Sequence, residues 1–285
     1  MSKRHELERH LGTLRELSGI MGAMKNLALM ETHKVSRFLS AQHRVVTTIE
    51  LAAADFLAFY PDVRARPANG RNVYLLIGSE RGFCGEFNDV LLETLERHLE
   101  EVSDTNPILI TVGLKLAVKL TGDARVAASL EGPNVAEEVQ SVLIRLMDTL
   151  SETQAKHKAF GPLTLTVLSH GGDEHGSAVQ IFRPFEASRQ EPVRYSYPPI
   201  LNLEPLAFWA ELVDHYLFAV LHELFYSSLM AENRRRFQHM DTAIQRMERE
   251  MSELARKRNI LHQEEITEEI EVIMLSVEAL KKAQP

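Results

Sequence analysis

The 285-residue chain has a single cysteine, Cys84, which excludes an intrachain disulfide and a zinc site built from cysteines, and fits a reducing compartment. No apolar run approaches the ~20 residues needed to cross a bilayer, and the opening MSKRHELERH lacks the apolar core of a secretory signal. Positive charge is not in excess: the formal net charge of -8 argues against a dedicated nucleic-acid binder. The most informative shortages are of the two helix breakers. Proline is missing before Pro61 and between Pro205 and Pro285, and glycine is missing after Gly176. One helix from Leu206 to Gln284 would reach roughly 120 Å. Residues 2–59 could form another of roughly 85 Å, weakened only by Gly12, Gly19 and Gly22. Helices in ordinary domains average about three turns, so two such lengths at opposite ends of one chain are a signal in themselves.

The apolar spacing says what these arms do. Met240, Ile244, Met247, Met251 and Leu254 alternate steps of four and three, the seam of a coiled coil. After the polar ARKRN segment the seam is expected to resume one residue out of phase at Ile266, Ile270, Ile273, Val277 and Leu280. In the first arm Leu7, Leu11, Leu14, Met21, Ala28, Val35, Leu39, Val46 and Ile49 keep the same rhythm with gaps. Only two arms of this length exist, and they pair most simply with each other, antiparallel. The methionines cluster on the arms, as filler for the seam or as an adaptable sliding surface, since the unbranched thioether repacks easily.

From about Arg71 to Tyr197 the style changes. VYLLIGS, ILITVG and LTLTVLS are short β-rich runs, separated by helical patterns at Asp89–Glu101, Lys115–Leu120 and Val135–Leu150. That alternation predicts βαβ units and a mainly parallel sheet. HGGDEHGS followed by AVQIFRPF reads as a glycine-rich hairpin into a further strand, and ARPANG as a linker. The expected fold class is α/β: a central Rossmann-like α/β domain inserted between two long terminal helices that form an antiparallel coiled coil. Residues 1–60 are the first helix, 70–200 the central domain and 205–285 the second helix.

The stretch GSERGFCGEFN lies between the first strand and a helix, where phosphate-binding turns sit. Its glycines, Gly78, Gly82 and Gly85, do not have dinucleotide spacing, no acidic residue ends the next strand, and no Walker lysine follows. Cys84 as a nucleophile would need a histidine base, and Arg81 is the only cation nearby in sequence. The favoured reading is a structural strand-to-helix turn made by Gly78, Arg81, Gly82, Cys84, Gly85 and Asn88, whose glycines allow sharp turning and close packing. HGGDEH has the side chains of a metal site but reads better as a hairpin tip. His215 and His222 are too far apart for one ion and read as seam or surface residues. Arg234–Arg236 and Arg256–Arg258 could bind phosphates, although solvated faces or contacts to an acidic protein suit this chain better. No catalytic group, cofactor site or metal site is expected.

At these residues the chain resembles a known family, the gamma subunits of F-type ATP synthases, over essentially its full length. IMGAMKNLALMETHK, residues 20–34, is similar to the family's ITKAMEMVAASKM pattern; GSERGFCGEFN to its S-D-R-G-L-C-G-x-x-N motif; and AENRRRFQHM with ARKRNILHQEEITEEI to its C-terminal patterns. The resemblance implies a central-stalk rotor shaft. Its coiled coil would turn inside a hexamer of alternating alpha and beta subunits, and its central domain would lie by the epsilon subunit and the membrane c-ring. The complex would sit on the cytoplasmic side of the bacterial plasma membrane, with no nucleic-acid partner and no direct insertion into the bilayer. The resemblance places Met24 and Lys25 against a beta-subunit lever. It puts Arg236, Met240, Arg258, Asn259, Glu264 and Thr267 in the C-terminal contact zone, and Tyr197 near the membrane ring.

The chain departs from the family pattern at several of these places. Lys25 stands where glutamate is usual, Asn259 and Glu264 where glutamine is, Pro198 where a glutamate commonly follows the tyrosine, and Glu86 where glycine is common. These departures read as a divergent member, serving an accessory bacterial ATPase with its own matched partners. Two other readings stay open on the residues alone. One is a coiled-coil adaptor whose α/β domain is a binding module; the other is an enzyme using the turn at Gly78–Asn88.

Overall fold

The computed structural model describes residues 3–63, 71–156, 164–171, 179–182, 195 and 197–282. The ARPANG linker and the hairpin tip at residues 172–178 lie outside the described residues. The chain divides into two compact units, Met1–Leu27 with Phe237–Pro285, and Ala28–Arg236. Helix α1, Lys3–Phe59, and helix α5, Pro205–Lys282, each contribute to both. With 57 and 78 residues they are as long as the missing helix breakers allow.

In the larger unit five strands form one sheet in the order β3-β2-β1-β4-β5. They are β1 Asn72–Ile77, β2 Ile108–Val112, β3 Val126–Leu130, β4 Thr164–His170 and β5 Val179–Phe182. All pairs are parallel except β4 with β5. Between the strands lie α2, Phe87–Val102; α3, Leu114–Lys119; and α4, Val139–Lys156. A sheet buried on both faces needs strands that are apolar throughout rather than alternating, and VYLLI and ILITV meet that need. Val73, Leu75 and Ile77 face a core completed by Leu143 of α4 and Val220 and Phe225 of α5. Tyr74 and Leu76 face the other way, onto Leu91 and Leu95 of α2 and Leu116 of α3. β3 escaped the sequence reading: its VAASL is half-exposed and short of bulky apolar residues, because it is an edge strand.

The α1 segment of this unit runs antiparallel to the first part of α5. Phe38 stacks on Tyr226 at 5.6 Å, His43 meets Glu223 at 2.8 Å, and Phe56 stacks on Trp209 at 6.1 Å. In the smaller unit the two helix ends are again antiparallel. Lys25 pairs with Asp241 at 2.9 Å, His10 with Glu250 at 3.3 Å, and Arg4 with Glu265 at 3.3 Å. The seam expected along α1 from Leu7 to Ile49 is buried or half-buried at every named position. On α5 Met240 is fully buried, and Ile244, Met247, Met251 and Leu254 are half-buried.

One expectation about the seam needs correction. It does not resume out of phase directly after ARKRN: the half-buried positions continue in step at Arg258, Leu261 and Glu265, while Ile266, Ile270 and Ile273 are 43%, 51% and 60% exposed, and the side chains of Val277 and Leu280 lie outside the described residues. An uninterrupted helix carries its phase through a polar stretch, and a long arginine can occupy a seam position with its aliphatic stem. α1 begins at Lys3, and Arg4 already pairs with Glu265, so no described residue of α1 covers α5 beyond that point.

Candidate functional site

The turn after β1 is tied to α5. Gly78 donates its amide to the carbonyl of Val112, holding the end of β1 to β2. A Cβ at this position would lie 2.5 Å from Cβ of Leu116 and 2.8 Å from Oδ1 of Asn88, so only glycine fits. Asn88, buried in the first turn of α2, closes the loop from the other side. Its Oδ1 accepts from the Ser79 amide at 3.0 Å, and its Nδ2 donates to the Ser79 hydroxyl at 2.9 Å. Gly85 has φ of +59°, the conformation in which a side chain is disfavoured. Gly82 is not constrained in this way: its nearest neighbour would be Cε of Lys115 at 3.8 Å, and the left-handed turn is taken by Phe83 at φ +65°. Glu80 joins this turn to its surroundings, accepting from the amides of Leu114 at 2.9 Å and Gly132 at 2.7 Å. Arg81 donates from Nε to Asn134 Oδ1 at 2.7 Å.

Beneath the turn lies an ion pair that the sequence reading did not single out. Glu232 and Arg236, one helical turn apart on α5, are 4% and 6% exposed and directly bonded to each other. The Glu232 carboxylate receives the amides of Glu80 and Arg81 at 3.4 and 3.3 Å. Arg236 donates Nε to the carbonyl of Gly82 at 3.3 Å and Nη1 to Asn233 Oδ1 at 2.8 Å. Burial pushes the Glu232 carboxyl up, while Arg236 and the two amides oppose it. The four-residue spacing of Glu232 and Arg236 was visible in AENRRR; their burial was not. A buried pair of this kind adds little net stability, but removing one partner leaves the other charge buried and uncompensated.

The chemistry open to this turn is narrow. Burial, and then the charge of Glu232, push the Cys84 thiol up to about 12, so it is a neutral thiol against Arg236 and the turn carbonyls rather than a nucleophile. The start of α2 has no side-chain cap, and its first residues bring Glu86 and Asp89, the latter paired with Lys119, rather than free cations for a phosphate. Among the described residues no group of three or more His, Cys, Asp or Glu side chains is placed to hold a metal ion. The arrangement is a mechanical joint between the sheet and α5.

His170, at the end of β4, supports the same corner. It is fully buried, stacks on Phe87 at 3.7 Å, and donates Nε2–H to the Phe87 carbonyl at 2.8 Å, which leaves Nδ1 as an unpartnered acceptor. Desolvation lowers its pKa from 6.5 to about 4. A histidine depressed in the folded state contributes stability that is fully present above about pH 6.5 and is lost as pH falls towards 4. The loss is on the order of 3 kcal/mol at 1.36 kcal/mol per pKa unit. In urea titrations between pH 7 and pH 4, His170→Gln is expected to flatten this fall while starting from lower stability at pH 7. Parallel curves for the variant and the parent chain would remove His170 as its source.

The other positions drawn from the resemblance are distributed unevenly. Arg236 and Met240, expected to meet partner subunits, are 6% and 0% exposed. In this chain Arg236 is held by its own turn, and Met240 fills the seam. Lys25 turns its ammonium to Asp241 at 2.9 Å and lies 5.8 Å over the Phe237 ring. Met24 is half-buried, as is Arg258, which donates to Asn259 Oδ1 at 2.8 Å. Asn259, Glu264 and Thr267 are exposed along α5, and Tyr197 is 83% exposed. Of the two histidines on α5 weighed as seam or surface, His215 is exposed and His222 is half-buried against Phe218.

Residues 3–280 match the family described as ATP synthase. Among curated proteins, the ATP synthase gamma chain of Clostridium botulinum (strain Langeland / NCTC 10281 / Type F) is 22% identical over 284 residues, 93% of this chain and 95% of that one. The ATP synthase gamma chain of Desulforamulus reducens is 22% identical over 303 residues, 99% of this chain and all of that one. Among solved structures, a chain of the Euglena gracilis mitochondrial ATP synthase (OSCP/F1/c-ring, rotational state 3) superposes with a TM-score of 0.62 at 16% identity, covering 99% of this chain and 95% of that one. A chain of the Tetrahymena thermophila mitochondrial central stalk and c-ring gives a TM-score of 0.56 at 14% identity, covering 79% of this chain and 99% of that one. With the match spanning both long helices and the sheet between them, the chain belongs to the ATP synthase gamma-chain family.

Proposed function

We propose that this chain is the central-stalk rotor subunit of an F-type ATP synthase. It couples ion translocation through a membrane ring to ATP synthesis or hydrolysis in a hexamer of alternating alpha and beta subunits. The observation that carries this reading is family membership along residues 3–280, which takes in both long helices as well as the sheet. The subunit supplies no catalytic group; its work is to present different contacts to the three beta subunits in turn, because coupling requires differential interaction with distinct states. The buried pair Glu232–Arg236 suits that role, since it ties α5 to the turn of the α/β domain and lets torque on one reach the other.

The exposed stretch of α5 with Ile266, Ile270 and Ile273 suits a surrounding apolar sleeve of the hexamer, and Asn259, Glu264 and Thr267 its polar contacts. Met24, Lys25 and Arg258 belong to the same contact zone, although Lys25 must share its ammonium with Asp241. Tyr197 faces the membrane-ring end, where the epsilon subunit also binds. The complex lies on the cytoplasmic side of a bacterial plasma membrane. Among the described residues no helix is long and apolar enough to cross a membrane, so attachment runs through the ring. The departures from the family pattern fit an accessory assembly with matched partners.

The test is affinity capture of the tagged chain from gently solubilised membranes of its host, with subunit identification and ATP hydrolysis assayed on the eluate. A hexameric ATPase carrying one copy of the chain is the expected result. Stable capture of other partners with no ATPase would hand the function to a coiled-coil adaptor.

A further inference from the structure

Within the Ala28–Arg236 unit a cavity of about 680 Å³ opens beside the paired ends of α1 and α5. Phe56 and Phe59 of α1, Phe208 of α5, and Tyr195 and Tyr197 contribute aromatic rings to its wall. Asp55 is the one charged side chain among the described residues that line it; the rest are alanine, proline and leucine. Asp55 is half-buried, and among the described residues no ion pair or hydrogen bond engages its carboxylate. Apolar walls with a few polar groups are the ordinary composition of a small-molecule site. Five aromatic residues lining the same cavity as one unpaired carboxylate are more particular, with Tyr195 and Tyr197, 61% and 83% exposed, at its open side. Aromatic faces and a carboxylate both attract positive charge, and aromatic rings tolerate the methyl groups of an alkylated amine that water solvates poorly.

We propose that this cavity binds a small organic cation, a quaternary or tertiary ammonium group, with Asp55 as counter-ion and the rings of Phe56, Phe59, Phe208, Tyr195 and Tyr197 as its cage. An inorganic cation is a poor fit, because one carboxylate cannot replace its hydration shell. A neutral apolar ligand would leave Asp55 desolvated and unpaired. The assignment shares only Tyr197 with the rotor reading, which sets that residue at the membrane-ring end; it otherwise rests on residues of this chain alone and survives if the partners prove different.

The chain contains its own reporter. Trp209 is its sole tryptophan, and its ring stacks on Phe56, a wall residue, at 6.1 Å and 8°. The full chain is titrated with choline and, separately, with its neutral isostere 3,3-dimethylbutanol, following Trp209 fluorescence. Choline is expected to shift the emission saturably and to bind at least about fivefold more tightly than the alcohol, the equivalent of about 1 kcal/mol of cation recognition. Asp55→Asn is expected to abolish that preference while leaving the far-ultraviolet circular dichroism unchanged. Phe59→Ala, a second variant on the opposite chemistry, is expected to weaken choline and alcohol alike. Phosphatidylcholine vesicles, compared with phosphatidylglycerol vesicles, separate the two sources of this chemistry. A response to free choline alone assigns a soluble cation, and a stronger response to phosphatidylcholine assigns a lipid headgroup. No saturable response to either, or equal binding of choline and the alcohol in the parent chain, would overturn the proposal.

Discussion

Arg236→Ala is expected to destabilise the Ala28–Arg236 unit by about 3–5 kcal/mol, far beyond the loss of a surface charge. Its partner is what makes the deletion severe. Glu232 would remain 4% exposed with only the amides of Glu80 and Arg81, at 3.4 and 3.3 Å, to compensate its charge. The Gly82 carbonyl and Asn233 Oδ1 would lose their donor as well. Burial already raises the Glu232 carboxyl above its ordinary value, and removing Arg236 removes the largest opposing influence. A carboxyl raised in the folded state favours folding at low pH and loses that contribution as pH rises. The deficit of Arg236→Ala is therefore expected to shrink on acidification. The double variant Glu232→Leu/Arg236→Met, which removes both charges and keeps the volume, should recover part of the loss. Recovery should be incomplete, because the amides of Glu80 and Arg81 then lack an acceptor, at about 1–3 kcal/mol for each buried group. Urea denaturation of the parent, Glu232→Leu, Arg236→Met and the double variant reads the coupling directly. A deficit below about 1 kcal/mol in Arg236→Ala, or a coupling energy near zero in the cycle, would mean that this pair does not anchor the turn.

That joint also shows where sequence reading stops. The arms were legible because their signal is repeated. Proline and glycine are missing over long spans, and one apolar residue out of place among ten does not erase a four-three rhythm. The same reading failed at Ile266, because local apolar spacing was allowed to reset the phase, while a continuous helix such as α5 cannot reset it without a break. β1, β2 and β4 announced themselves as apolar runs buried on both faces. β3, at an edge, had no such run. Within the turn, Gly78, Gly85 and Asn88 were singled out by type, and geometry gives each a distinct task; Gly82 has none that another small residue could not perform. Glu232 and Arg236 were in view as part of a charged cluster. Charge clusters on helices usually face water, and nothing in the one-dimensional pattern marks the pair that faces the sheet. Asp55 and Trp209 are the same kind of case, since each acquires its meaning from rings that approach through the fold.

Met247→Pro is the change expected to do most to function. Met247 lies in the half-buried seam of α5, within a helix that carries no proline between Pro205 and Pro285. A proline there removes one backbone hydrogen bond and forces its ring against the preceding turn, at about 3 kcal/mol or more, with a kink. Stability alone is not the point, because the assembled enzyme can tolerate a loosened helix that a free chain cannot. In the rotor reading, torque passes along α5 through residue 247, and a kink lets the hexamer hydrolyse ATP without turning the far end in step. Membrane vesicles carrying the variant are therefore expected to retain much of their ATP hydrolysis while ion pumping per ATP falls towards background. Met247→Leu, nearly volume-conserving and helix-compatible, should keep both activities, at less than about 1.5 kcal/mol. The two substitutions alter the same seam position, so their difference isolates helix continuity from side-chain packing. If the proline variant assembles and pumps at the parent ratio, α5 does not transmit torque through residue 247, and the shaft mechanism fails whatever the family resemblance. If it pumps poorly and the leucine variant pumps well, the missing prolines and glycines of the C-terminal arm are explained by the load the helix carries.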